Sequence, residues 1–256
     1  MKHLLLAFCT LFLLTDSFAQ TNTMLTVRTR AKDAKFIGSS MGGSFITVRD
    51  ARTDELLAEG YTEGSTGNTS VIMSQPHTRY DELADVNTAA FRTEIPLTAP
   101  TLITIEAQAP GHHRQAQVMV STQVWMIPGR DILGDGIILE IPGFAVDVLL
   151  PRQHQFISLE SLPNRLLPIR ANMVMMCGCT ISDGGLWNAR EMEVTAIITK
   201  DGEQVRALPL AIGDTDNLFE GDWMVDEPGT YQLTVYGFDP RTFNSGVDVV
   251  NIVINE

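Results

Sequence analysis

The hydrophobic pattern of this chain repeats every two residues. In residues 101–108 (TLITIEAQ) apolar and polar side chains alternate, and residues 115–122 (QAQVMVST) and 191–198 (EMEVTAII) show the same alternation. Successive side chains of a strand leave opposite faces of a sheet, so the pattern is typical of half-buried antiparallel strands. A helical turn or two is expected only in residues 80–87 (YDELADVN). We therefore predict a nearly all-β protein.

Turn residues divide the strands into hairpins. Asp201-Gly202 stands between two alternating runs, which favours a two-residue type I′ hairpin because glycine accepts a positive φ. Residues 44–62 (SFITVRDARTDELLAEGYT) form a second predicted hairpin with a longer polar connection from Asp50 to Asp54. Short strands separated by such breaks indicate a β-sandwich or a barrel.

A proline-rich stretch suggests a boundary between two domains. Pro151, Pro163 and Pro168 interrupt residues 147–170, after which the alternation begins again. Proline cannot donate a hydrogen bond to a sheet, so this stretch fits a linker. We predict two antiparallel β-sandwich domains in tandem, residues 21–150 and 165–256, joined by a linker at residues 151–164.

The first residues are typical of a secretory signal peptide. Lys2 precedes an apolar run, Leu4 to Leu14, and small residues at Ser17 and Ala19 fit cleavage before Gln20. The run of about 11 residues is shorter than the roughly 20 that a transmembrane helix needs. We expect residues 1–19 to be removed and the chain to be exported to the periplasm or the extracellular space, with no transmembrane segment after cleavage.

Charge excludes one class of partner. The formal net charge is -13, and no cluster of Lys or Arg reverses it locally. Such a surface repels phosphate backbones, so nucleic acid is not expected as a partner. A protein or a small ligand remains, and the sequence does not specify which.

Residues 173–180 (MVMMCGCT) contain an unusual concentration of sulfur. With a period of two, one strand face would carry four sulfur atoms, and thioethers and thiolates are soft ligands that select Cu(I). A copper site is therefore one hypothesis, with His112, His113 or His154 as further ligands. The predicted ligands are Met173, Met175, Cys177, Cys179 and Met192.

Two other interpretations of the sulfur-rich stretch stay open. Cys177 and Cys179 are the only cysteines left after signal cleavage, and a disulfide between them needs a bend that Gly178 permits. Such a bond would be expected in an oxidising compartment, where it could also take part in thiol exchange. Alternatively, the methionines and cysteines only fill core volume.

Two further groups of residues are candidate sites. Spaced carboxylates followed by glycine resemble parts of a calcium loop, although acidic turns usually face water. These are Asp131, Asp135 and Gly136, together with Asp214 and Asp216. His112 and His113 are adjacent, so on a strand they would point to opposite faces, and a surface turn is expected there. No motif nominates a catalytic residue.

Two families resemble parts of the chain. Residues 226–239 (DEPGTYQLTVYGFD) resemble the late strand of a bacterial immunoglobulin-like domain, which implies a tyrosine corner at Tyr231. Leu233 stands where antibody domains have their second cysteine. Residues 42–68 resemble the hairpin of carboxypeptidase-regulatory-like, transthyretin-like domains, with Asp54 in place of the usual glycine.

The resemblances imply a function. Both families are mostly binding, adhesive or accessory modules without catalysis in the core fold. We therefore interpret the chain as an exported, non-catalytic binding or accessory protein. The alternative is a copper-binding or thiol-redox protein centred on Cys177 and Cys179.

Overall fold

A computed structural model describes residues 20–256, and the predicted signal peptide lies outside these described residues. The first half contributes strands β1 Thr21–Ala31, β2 Phe45–Asp50, β3 Leu56–Tyr61, β4 Phe91–Leu97, β5 Thr101–Ala109, β6 Val118–Met126 and β7 Ile132–Ile141. They form two sheets, with strand orders β4-β1-β7 and β3-β2-β5-β6. In the first sheet β1 pairs with β4 antiparallel and with β7 parallel.

The two sheets of the first half enclose an apolar core. Leu25 and Val27 on β1 are completely buried, and so are Ile46 on β2 and Ile103 and Ile105 on β5. The period of two therefore places alternate side chains inside the sandwich, as predicted. The hairpin predicted from residues 44–62 is confirmed, because β2 and β3 pair antiparallel.

The second half also consists of strands. They are β8 Phe144–Leu150, β9 Gln155–Ser158, β10 Leu166–Met175, β11 Ile181–Ser182, β12 Trp187–Asn188, β13 Glu193–Lys200, β14 Glu203–Pro209, β15 Ala211–Ile212, β16 Leu218–Met224, β17 Gly229–Phe238 and β18 Ser245–Asn255. The main sheets have the orders β15-β16-β10-β8 and β14-β13-β17-β18-β9, and β11 pairs with β12. The predicted fold class, two β-sandwiches in tandem, is confirmed.

Local features of the second sandwich follow the sequence. Asp201 and Gly202 have φ values of 52° and 85° and join β13 to β14, as the predicted type I′ turn requires. The Tyr231 hydroxyl donates a hydrogen bond of 2.8 Å to the carbonyl oxygen of Glu227. This bond back to the nearby backbone was predicted for Tyr231.

The strand pairing differs from the predicted domain limits. Strand β8, which the sequence assigned to the first domain, pairs with β10 of the second sandwich. Strand β9 lies within the predicted linker 151–164 and pairs with β18, in parallel. The prolines therefore interrupt a segment that still forms strands, because Pro151 and Pro163 lie outside the strands themselves. Strand β7, which ends at Ile141, and strand β8, which begins at Phe144, therefore belong to different sheets.

The helical segments that the structure describes are each a single short turn. The 3-10 segments are Ser39–Met41, Arg114–Ala116, Leu159–Ser161, Pro163–Arg165 and Ala189–Glu191, and Ser70–Ser74 is π-helical. The helical turn expected in residues 80–87 does not form, and the backbone N–H groups of Leu83 and Ala84 instead donate hydrogen bonds to the carboxylate of Asp135. Within residues 20–256 no helix is long and apolar enough to cross a membrane.

Hydrogen bonds connect the two sandwiches at a common junction. The buried side chain of Asn244 accepts a hydrogen bond from the backbone N–H of Gly143 at 2.8 Å and donates one to the carbonyl oxygen of Lys32 at 3.1 Å. The indole N–H of Trp187 donates to the carbonyl oxygen of Asp33 at 2.8 Å. The junction is therefore held by specific side-chain-to-backbone bonds.

A tight turn at residues 239–244 presents Asn244 to the junction. The buried Asp239 carboxylate accepts hydrogen bonds from the backbone N–H of Arg241 at 2.9 Å and the hydroxyl of Thr242 at 3.0 Å. Burial alone would raise the pKa of Asp239, but these hydrogen bonds stabilise the carboxylate and lower its pKa overall. The ionised form of Asp239 thus supports the turn.

Candidate functional site

The sulfur-rich stretch ends a strand and forms a turn. Strand β10 stops at Met175, and its burial alternates so that Met173 and Met175 both face the core. The backbone then turns, with the N–H of Gly178 donating to the carbonyl oxygen of Met175 at 2.7 Å and a φ of 74° at Gly178. The prediction of four sulfurs on one strand face is wrong beyond Met175, because glycine in this left-handed conformation reverses the chain.

Cys177 and Cys179 are disulfide-bonded across this turn. Their Sγ atoms lie 2.06 Å apart and their Cα atoms 5.3 Å apart. Both residues are buried, with exposed fractions of 1% and 8%. Disulfide sulfurs carry no thiolate, so in this state they lack the charged form that binds soft metals.

The predicted metal ligands lie at buried or partly buried positions of the second sandwich. Met173 packs against Gly237 on β17, where a Cβ atom would overlap its sulfur. Met192 precedes β13 and is partly buried against the core. Over residues 20–256, no group of three or more His, Cys, Asp or Glu side chains is arranged to hold a metal ion.

The disulfide turn lies against the first sandwich. A Cβ atom at Gly178 would stand 2.8 Å from the Sδ atom of Met41, and one at Gly143 would stand 3.0 Å from the Cε atom of Met176. Met41, Met176 and Cys177 belong to the same apolar cluster. The disulfide turn of the second sandwich therefore approaches Met41 of the first sandwich closely at Gly178.

Two of the carboxylates predicted as calcium ligands accept hydrogen bonds from backbone N–H groups. Asp131 accepts a hydrogen bond from the N–H of Met24 at 2.8 Å, while both oxygens of Asp135 accept bonds from residues 83 and 84. Asp214 and Asp216 lie in an exposed turn before β16. Asp131 thus lies just before β7 and Asp135 within it, and their carboxylates bind backbone N–H groups of β1 and of the loop before β4.

The three histidines considered as metal ligands occupy different surroundings. The Nδ1 atom of His113 lies 3.6 Å from the Oδ2 atom of Asp147. His154 stacks edge-on against Phe156 at a centroid distance of 5.2 Å. His112 contributes to a cavity in the first sandwich.

This cavity, which we call the Tyr61 pocket, has a volume of about 380 Å³. It lies where the segment before β2, the end of β3 and the loop after β5 meet. Its lining consists of Ser39, Gly42, Tyr61, Thr62, Glu63, Gly111 and His112. The lining therefore combines one aromatic ring with hydroxyl, carboxylate and imidazole groups.

Two loops are joined backbone to backbone to form the floor of the Tyr61 pocket. The N–H of Gly111 donates to the carbonyl oxygen of Gly43 at 2.9 Å, and the N–H of His112 donates to that of Met41 at 3.0 Å. Gly42 has a φ of 81°, and a Cβ atom there would overlap the His112 ring. Glycine at position 42 is thus needed both for the turn and for the close approach of His112.

Tyr61, which lines the pocket, forms an aromatic pair with Phe45 outside it. The ring of Tyr61, 56% exposed, lies 5.1 Å from that of Phe45 between centroids. Phe45 is the cross-strand partner of Tyr61 and of Gln108, and Gln108 is the cross-strand partner of Met119, so the four residues form a row across the sheet. We call Tyr61, Phe45, Gln108 and Met119 the Tyr61 strip. It spans four strands on the outer face of the sandwich.

Polar groups around the pocket are fixed by the backbone. The Ser39 Oγ atom accepts a hydrogen bond from the N–H of Gly64 at 3.0 Å, which leaves its hydroxyl hydrogen directed elsewhere. The Gln108 amide donates to the side chain of Gln117 at 3.2 Å, and Gln117 donates to the carbonyl oxygen of Pro110 at 3.1 Å. The strip therefore presents an oriented amide beside its aromatic pair.

The sequence does not predict this pocket. Its residues come from segments about 20 to 70 positions apart and share no periodic pattern. The glycines at 42, 43 and 111 are the one feature of the sequence that could have indicated the pocket, because glycines often mark the close approach of two backbones. The prediction of a surface turn at residues 112 and 113 agrees with the exposure of His112.

Fold and pocket together define a protein of two β-sandwiches with a polar, aromatic-edged cavity on the first. No family model and no curated protein matches the chain.

Three solved structures show distant similarity. Fibronectin(III)-like modules of Clostridium thermocellum CbhA share 14% identity, with 91% of this chain and 94% of that chain covered and a TM-score of 0.30. A DUF3823 family protein from Bacteroides uniformis shares 8% identity, with 90% of this chain and 99% of that chain covered and a TM-score of 0.28. An engineered protein shares 14% identity over 48% of this chain, with a TM-score of 0.33, and this chain covers 22% of its length. Such low TM-scores carry no functional implication.

Proposed function

We propose that this chain is an exported, non-catalytic binding protein whose ligand occupies the Tyr61 pocket. The observation that carries the proposal is the pocket itself, a preformed concave site with a few fixed polar groups and one exposed ring. Sites for small ligands are typically concave, with a small number of placed polar groups that fix the orientation of the ligand. The second sandwich and the junction would then act as a scaffold.

Each sandwich also receives a proposed family. Pairing of β2 with β3 before a glycine-rich turn supports a carboxypeptidase-regulatory-like, transthyretin-like first domain. The tyrosine corner at Tyr231 supports an immunoglobulin-like second domain. We propose the boundary at residues 142–143, between β7 and β8, since β8 pairs only within the second sandwich among the described strands.

Export is proposed from the signal-like residues 1–19 and from the disulfide, which is typical of oxidising compartments. The full chain should be produced in a bacterial host and its cell fractions compared by intact mass. A periplasmic or secreted species that begins at Gln20 and contains no free thiol supports export. A cytoplasmic species with residues 1–19 still attached contradicts it.

The alternative of copper or thiol-redox function requires an additional step. The disulfide between Cys177 and Cys179 must be reduced before either sulfur can bind Cu(I) or exchange. Protein purified from the exported fraction should be assayed for copper and free thiols. Stoichiometric copper that disappears in a Cys177→Ser, Cys179→Ser variant would favour this alternative over the binding function.

The binding function is tested with defined small molecules. Amide chemical shifts should be followed by NMR during titration with neutral mono- and disaccharides, amino acids, dicarboxylates, choline and nucleosides. We expect at least one class to perturb residues 39–45, 61–64 and 110–113, and Tyr61→Ala to abolish the perturbation. If no compound perturbs these segments, or if Tyr61→Ala leaves the perturbation unchanged, the proposal is wrong.

A further inference from the structure

We propose that the Tyr61 pocket and the Tyr61 strip together bind a neutral oligosaccharide. This inference rests on the proposed function and names the class of ligand. The strip forms an extended platform on the outer face of the sandwich, and the pocket opens at its Tyr61 end. A linear ligand could therefore lie across the strands with one end in the pocket.

The aromatic rings suit the apolar faces of sugar rings. Tyr61 is exposed, and Phe45 supports it from the neighbouring strand at 5.1 Å. Because Tyr61 ends its strand and is braced by a second ring, its own ring offers a flat apolar surface at little cost in conformational entropy. Sugar rings carry C–H groups on one face that pack on such a surface, while their hydroxyls point outward.

The polar groups suit sugar hydroxyls. Ser39 has a hydroxyl hydrogen available to donate, and Glu63 offers a carboxylate that accepts. Further along the strip, the Gln108 amide is held by Gln117, so its remaining donor and acceptor positions are oriented. A polyol that both donates and accepts can satisfy this mixture, whereas a purely apolar ligand cannot.

Charge argues against an anionic ligand. Glu63 is the one carboxylate of the lining, which contains no Lys or Arg, and the whole chain has a net charge of -13. An anion would therefore meet no cationic partner. Quaternary ammonium groups are bound in cages of several Trp, Tyr or Phe rings, and Tyr61 is the one such residue in the lining of the pocket.

The length of the strip favours an oligosaccharide over a single sugar. Tyr61, Phe45, Gln108 and Met119 occupy four neighbouring strands. Neighbouring strands lie roughly 4.8 Å apart, so three steps extend about 14 Å. A chain of several sugar units can contact this length, and a monosaccharide would contact only the pocket.

The test is affinity electrophoresis in native gels that contain a neutral polysaccharide. The gels should contain a β-glucan, an α-glucan, a xylan or a mannan, and oligosaccharides of any polysaccharide that retards the protein should be titrated calorimetrically. We expect Tyr61→Ala to weaken binding at least about tenfold and Gln108→Ala about threefold, because the central groups of an interface dominate its affinity. Tyr61→Phe should bind within about threefold of the wild type, since it retains the ring.

Tyr80→Ala is the matched control, because Tyr80 is 83% exposed and lies outside the Tyr61 strip. It should bind like the wild type, and all variants should unfold within a few degrees of it. If none of the gels retards the protein, or if Tyr61→Ala and Gln108→Ala bind normally, the oligosaccharide proposal is wrong. Binding of another compound class at the pocket in the NMR titration would then leave the binding function intact. Binding of no class would refute both.

Discussion

Replacing Asn244 with alanine is expected to lower the free energy of unfolding by about 3 kcal/mol. The side chain is completely buried and bonds to the N–H of Gly143 and the carbonyl oxygen of Lys32. Each buried backbone group left without a partner costs about 1–3 kcal/mol. Two such groups give about 2–6 kcal/mol, and water that enters the space of the lost amide should keep the loss in the lower half of this range.

The measurement is urea unfolding followed by tryptophan fluorescence and far-ultraviolet circular dichroism. Trp187, one of three tryptophans, bonds across the same junction, so its contribution to the fluorescence reports the state of that junction. A loss of about 3 kcal/mol should lower Tm by about 6–12 °C in a domain of this size. Asn22→Ala, an exposed control, should change stability by less than about 0.5 kcal/mol. If Asn244→Ala loses no more than Asn22→Ala, the junction bonds do not stabilise the fold.

Three further predictions follow from the described contacts. The Cys177→Ser, Cys179→Ser variant should lose about 1.5 kcal/mol in chemical unfolding, since the bond closes a ring of only three residues; an unchanged midpoint would contradict this. Asp239→Asn should destabilise the protein at pH 7. Because folding lowers the pKa of Asp239 below 3.8, its stabilisation is present above that pH and is lost as the pH falls further, so variant and wild type should converge in acid; a pH-independent difference would count against the ionised turn. Gly237→Ala should cost about 1–3 kcal/mol by overpacking against Met173, measured as a shift in urea midpoint, and a neutral effect would show that the core is loose there.

Local sequence signals predicted the elements that depend on local chemistry. The alternation in residues 101–108 specified which side chains of β5 are buried, since one face of the strand must meet the core. Asp201-Gly202 specified its turn, and the Tyr231 bond could be expected from the residues around it. In each case the determining residues lie within a few positions of one another.

Features that depend on distant partners could not be predicted in this way. Nothing near β8 indicates that it pairs with β10, since an isolated apolar strand is compatible with either sandwich. The parallel pairing of β1 with β7 joins the two ends of the first sandwich and leaves no periodic trace. The Tyr61 pocket likewise forms only when the loop after β5 reaches the glycines at 42 and 43.

The parallel pairing of β1 with β7 also determines how the first sandwich would bear a mechanical load. Tension that pulls Thr21 away from Ile141 draws these two neighbouring strands in opposite directions along their length. The backbone hydrogen bonds between them are then sheared together rather than opened one after another. The sandwich should therefore resist extension between its first and last strands more strongly than a hairpin such as β2–β3, which would unzip from one end.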